Sequence, residues 1–282
     1  PVLGIALELQ RRGHAVHVCT LGEEIEQVQA LGLDARAIDH RIEARELDDW
    51  RAGNPMKALE LAMRTFGDRA EYEVDDLRSA IAETSAEALL VDTNSWGAQA
   101  AAEASGLPWA TFQPYFTPLT GRGVPPFGPG FPLAAGLFGR LRDRLLGRLV
   151  SRRMSALALP GVNEPRIRLG LAPLTSMDNF LTRPPRVIYV TVEALEYPRA
   201  NWPESFRLVG PGTWSPKTEE PDWLADVEGP IVLATCSTER QEDRAILEAA
   251  LEGLPKEGLF VVGTSAAFNP EDVIAETQPR AR

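Results

Sequence analysis

Between Ala88 and Gln113 the chain passes from an apolar run to a small-residue helix and back to an apolar run. Ala88-Leu89-Leu90-Val91 reads as a buried strand ending at Asp92, Gly97 to Ser105 as a helix, and Trp109-Ala110-Thr111-Phe112-Gln113 as the next strand after a Gly106-Leu107-Pro108 turn. Strand, helix and strand fit within about two dozen residues, near the minimum for a parallel crossover. A unit of this kind demands a parallel sheet covered by helices. It also puts the Asp92 carboxylate at the carboxyl end of its strand, the edge where open α/β sheets bind ligands. A simple turn or cap role for Asp92 stands level with that reading.

The same rhythm fills most of the chain. Pro1 to Leu9 carries apolar residues at helical spacing and stops at Arg11-Arg12-Gly13, and Ala15 to Thr20 alternates like a strand. The chain thus opens inside an element, as though a first strand preceded it. Glu23 to Leu31 reads as a helix, Asp34 to Ile38 as a strand, Asp39 to Asn54 as irregular or partly helical, and Pro55 to Thr84 as a long helix. The prolines and glycines of 118–132 forbid helix and central strand, so an apolar shaped loop is expected there. Two helices follow, Leu133 to Leu159 and Asn163 to Leu169, the first with an arginine-rich face that reads as solvated. Val187 to Thr191 is the next strand. Around residue 200 the proline-punctuated passage marks a boundary: a first domain over 1–200, a linker over 201–216 and a second domain over 217–282. In the second, Ile231 to Thr235 and Leu259 to Thr264 read as strands around a helix from Arg244 to Leu254.

Composition narrows the function. A net charge of −11 argues against general binding to nucleic acid or anionic membrane, leaving room for a local basic patch. No apolar run is long enough to span a membrane. Cys19 and Cys236 lie far apart and read as reduced thiols of a cytoplasmic protein. His14, His17 and His40 lack companions at metal-ligand spacing, so no metal is expected.

Four segments in order carry a resemblance: Pro1 to Val16, Val91-Asp92 to Pro108, Glu196-Tyr197-Pro198-Arg199 to Gly210-Pro211, and Ile231 to Thr238. Together they resemble the inverting, nucleotide-sugar-dependent glycosyltransferases of the GT-B fold, of the macrolide, sterol and plant type. The resemblance implies an α/β architecture of two Rossmann-like domains with parallel sheets facing a cleft, the second incomplete here. It implies transfer of a hexose from a UDP- or dTDP-sugar to a hydroxyl of an apolar small molecule, with no cofactor. In that family a histidine after the first strand is the base, and Asp92 falls on the aspartate that orients it. The histidine would lie before Pro1. Ser237 and Thr238 fall on the donor phosphate site, with Gly263 and Thr264 at the neighbouring strand end. The apolar loop suggests Phe127 and Phe131 as an acceptor wall, with Tyr115 beside it. The family's His-Gly-Gly segment and Asp-Gln pair are not found in this sequence. The rival readings are a non-catalytic GT-B-like binding module and another GT-B enzyme, such as an epimerase or a phosphorylase.

Overall fold

The computed structural model describes residues 2–134, 136–199, 201–216, 218–237, 243–255, 258–265 and 268–277. The chain divides into two compact units, Pro1–Ser215 and Pro216–Arg282.

The first unit begins with helix α1 (Val2–Arg11), strand β1 (His17–Thr20), helix α2 (Ile25–Ala30) and strand β2 (Asp34–Ala37). β1 and β2 pair in parallel, and Ala6, Val28 and Leu33 bury together against them. After the short helix α3 (His40–Glu43) comes α4 (Pro55–Thr84), which Asn54 caps by accepting the Lys57 N–H at 2.9 Å. Then follow β3 (Leu89–Asp92), α5 (Trp96–Ser105), β4 (Trp109–Gln113), α6 (Gly136–Arg168), α7 (Met177–Thr182), β5 (Val187–Tyr189) and β6 (Phe206–Leu208). The four strands form one parallel sheet in the order β3-β4-β5-β6. Among the described residues, β1 and β3 each have a strand partner on one side only.

Two findings depart from the sequence reading. β6 lies inside 201–216, the stretch read as a linker, because Phe206 is buried and Pro203 and Pro211 flank the strand without interrupting it. And the helices expected over Leu133–Leu159 and Asn163–Leu169 are one, α6, running through Pro160 and Pro165. An interior proline costs about 3 kcal/mol locally. Here Ala158, Val162 and Pro165 are buried against the core, and that packing holds the helix together across both prolines.

The core explains the close helix packing. Trp96 sits between Phe66 of α4 and Phe180 of α7, with ring centroids 5.6 and 6.0 Å away. α4 and α6 cross at Gly67 and Gly161, where a Cβ on Gly161 would lie 2.6 Å from the Gly67 Cα. α4 and α5 are closer still: a Cβ on Gly97 would stand 1.8 Å from the Ala70 carbonyl oxygen.

The second unit contains β7 (Ile231–Thr235), α8 (Arg244–Gly253), β8 (Phe260–Thr264) and α9 (Pro270–Thr277), with β7 and β8 parallel. Ala234, Leu247, Leu251, Val261 and Val273 form its core. Ile231 and Leu233 are exposed on the other face of β7, so among the described residues this sheet is covered on one face where parallel sheets are usually covered on both.

Candidate active site

Because β3 to β6 run parallel, their carboxyl ends share one edge, and Asp92 marks it on β3. Asp92 is exposed, pairs in register with Phe112, and uses Oδ1 to accept the Asn94 N–H at 2.8 Å. That is the only hydrogen bond its carboxylate accepts among the described residues. The turn is therefore held by one carboxylate oxygen while the other remains open. Crowding by the surrounding protein pushes the Asp92 pKa up against the pull of the Asn94 amide.

Asp92 does not cap the helix that follows. Glu73 of α4, buried, accepts the Gly97 N–H at 2.8 Å, and Gln99 fixes the turn from within by donating to the Thr93 carbonyl at 2.8 Å. Tyr115 leans in from beyond β4, its hydroxyl bonded to Asn94 Oδ1 and its carbonyl held at 2.7 Å by the buried Gln113 side chain. Burial first, and then the Asp92 charge, raise the Tyr115 phenol pKa. The strand ends thus bring together Asp92, Asn94 and Tyr115. Glu73 and Gln99 escaped the sequence reading because neither lies in a recognisable motif, and Glu73 reaches Gly97 from another helix.

The loop of 118–132 closes over a cavity of about 950 Å³. Phe116, Phe127, Leu133, Val150 and Met154 give it apolar walls, with Thr120, Ser151 and Arg199 among its polar groups. Phe127 is part of its lining. Phe131 does not: its ring lies 4.5 Å beneath the Arg142 guanidinium, a cationic group drawn to its π face. Tyr115 is also outside the lining and belongs to the Asp92 edge. Distant residues hold the loop. Arg199 donates to the Leu119 and Thr120 carbonyls at 2.6 and 3.1 Å, Asp178 accepts the Thr120 N–H at 3.0 Å, and the Tyr189 hydroxyl accepts the Thr117 N–H at 2.9 Å. Burial lowers the Arg199 pKa, and its guanidinium stacks 4.7 Å above Trp202.

In the second unit the carboxyl ends of β7 and β8 meet at Thr235 and Thr264, whose hydroxyls are 3.0 Å apart. The Ser237 N–H, expected to face a phosphate, donates to the Asp243 carboxylate ahead of α8. Gly263 serves packing: a Cβ there would lie 2.9 Å from Leu247 Cδ2. Thr238 lies outside the described residues.

The histidines have local roles or face solvent. His17 Nδ1 is 2.5 Å from Asp34 Oδ2, its cross-strand partner, while His14 and His40 are exposed. Among the described residues no group of three His, Cys, Asp or Glu is placed to hold a metal, and no helix is long and apolar enough to cross a membrane.

Solved glycosyltransferase structures share this fold. The calicheamicin glycosyltransferase CalG4 superposes over the whole chain and 66% of its own, with a TM-score of 0.61 at 14% identity. The chain has the fold of the GT-B glycosyltransferases. A second GT-B structure, the Streptomyces sp. SF2575 glycosyltransferase SsfS6 complexed with thymidine diphosphate, matches 94% of this chain and 64% of its own, with a TM-score of 0.57 at 17% identity. Among curated proteins, the 4'-demethylrebeccamycin synthase of Lentzea aerocolonigenes is 28% identical over 213 residues, 72% of this chain. The chain spans about half the length of that relative, 49%. No family model matches it.

Proposed function

We propose that the intact protein moves a sugar from a nucleoside-diphosphate sugar to a hydroxyl of an apolar small molecule, inverting the anomeric carbon. Asp92 carries this reading. It offers one open carboxylate oxygen at the carboxyl end of a parallel strand, with the other oxygen fixed by Asn94. A hydroxyl is a poor nucleophile at neutral pH and needs a positioned base. In the GT-B glycosyltransferases that this chain resembles, the base is a histidine following the first strand. β3 has a free edge among the described residues, and a parallel strand pairing there would end level with Asp92. Asp92 would then accept the imidazole N–H, fix its tautomer and stabilise the imidazolium formed when the ring takes the acceptor's proton. The hydroxyl oxygen attacks the anomeric carbon as the C–O bond to the diphosphate breaks, and that direct displacement inverts the centre.

The apolar cavity supports the acceptor class, since such pockets pair mostly hydrophobic walls with a few placed polar groups. The donor class rests on likeness: SsfS6 and the spinosyn rhamnosyltransferase SpnG were solved with thymidine diphosphate. By the same likeness Ser237, Thr238 and Thr264 would meet the diphosphate, with Asp243 giving up the Ser237 N–H when it arrives. This reading places the protein in the cytoplasm, where nucleotide sugars are made. The test is to incubate the intact protein with UDP- and dTDP-hexoses and a panel of phenolic, polyketide and sterol aglycones, then read the anomeric configuration by NMR. A product of inverted configuration is expected. Transfer to free monosaccharides in preference to aglycones, or retention of configuration, would refute it.

A further inference from the structure

The outer face of the first half of α6 is apolar and, among the described residues, unpartnered. Leu137, Phe138, Leu141, Leu145 and Leu149 are 77%, 90%, 50%, 56% and 64% exposed. Residues four apart on a helix stack with a drift of about 40° per step, so the four leucines form one stripe. Arg140, Arg144, Arg148 and Arg152, all exposed, run beside it at the same spacing. The buried face, with Asp143, Met154 and Ala158, lies on the other side of the helix. Scattered surface leucines need no explanation, but a row of them does.

Charge identifies the occupant. Residues 137–153 hold six arginines and one acidic residue, Asp143, which is itself bonded to Arg142 at 2.8 Å. The chain as a whole carries −11, so this is a basic patch on an acidic protein. Two-fold pairing with a second copy would set the arginine rows against each other. At a lipid surface the same interleaving is favourable: leucines enter the acyl boundary while guanidinium groups extend to headgroup phosphates. The face also continues into the cavity rim, for Arg144 and Arg148 line the cavity together with the exposed Phe127 and Leu133.

We propose that this face of α6 docks on an anionic lipid surface and so sets the cavity mouth beside the layer into which apolar acceptors partition. The docking stands on the helix alone, whereas its use for acceptor delivery rests on the proposed transferase reading.

Co-sedimentation of the intact protein with vesicles of phosphatidylglycerol and phosphatidylcholine, against phosphatidylcholine alone, tests it. Binding should require the anionic lipid and weaken in high salt. Each basic residue near such a surface is worth about fivefold in partitioning. The triple change Arg140→Glu, Arg152→Glu and Arg153→Glu should therefore lower binding by more than about a hundredfold. Leu141→Glu with Leu145→Glu should lower it at least about tenfold, since both remove apolar burial and add like charge. Transfer to a water-soluble aglycone without vesicles should be unchanged in the leucine variant. Absent binding, equal binding to both vesicles or full binding by the variants would overturn the proposal, as would an acidic protein or further chain shielding these leucines in the intact protein. Vesicle binding without any sugar transfer would refute the transferase reading and leave the docking standing.

Discussion

A buried acid and a glycine decide the shape of the Asp92 turn. Burial pushes the Glu73 carboxyl up to about 8, against the downward pull of the Gly97 and Ala98 N–H groups and Arg69. The folded protein therefore holds this proton more tightly than the unfolded chain does. Stability from Glu73 is full below its ordinary value of 4.5 and is lost as the pH rises toward about 8. We predict that Glu73→Gln, which keeps an oxygen for the Gly97 N–H, removes this part of the fall. Urea unfolding across pH 5 to 9 checks it, and an unchanged pH slope would count against the assignment. Gly97 allows no such latitude. The Ala70 carbonyl occupies the space of any side chain there, so Gly97→Ala is expected to cost on the order of 3 kcal/mol or more, measured by the same unfolding.

At the level of elements, the strand and helix rhythm was legible because periodicity and turn residues are local signals. Asp92 was placed at its strand end by the run that precedes it, and the irregular loop by its prolines. What local signals missed was decided by packing. α6 continues through two prolines because its flanking residues are buried, and β6 forms where punctuation suggested a linker. The loop anchors Asp178, Tyr189 and Arg199 sit outside 118–132 altogether. Phe127 and Phe131 look alike in sequence, yet only the first reaches the cavity. Two predictions follow from that difference. Phe127→Ala should raise the acceptor KM roughly tenfold with little change in kcat, the size expected for losing an aromatic wall, while Phe131→Ala should leave the acceptor KM within about twofold. Arg199→Met keeps the stem but frees two loop carbonyls, so acceptor KM should rise with fold stability less affected. Steady-state kinetics with one aglycone separates these cases.

For the whole molecule, each unit carries a parallel sheet whose strands end on one carboxyl edge, the edge where open α/β folds bind ligands, and the proposed chemistry divides between them: acceptor and base with Asp92, donor diphosphate with Ser237 and Thr264. Ile231 and Leu233 of the second sheet are exposed among the described residues. The most direct measurement is sugar transfer by the intact protein carrying Asp92→Asn. The amide keeps the shape and the Asn94 contact but cannot stabilise an imidazolium. The expected result is a fall in kcat on the order of 10⁴-fold, as for the analogous change in a hydrolase triad, with thermal unfolding and donor binding unchanged. Transfer at the unsubstituted rate, or loss of folding with no separable kinetic effect, would make Asp92 a structural turn residue and contradict the account.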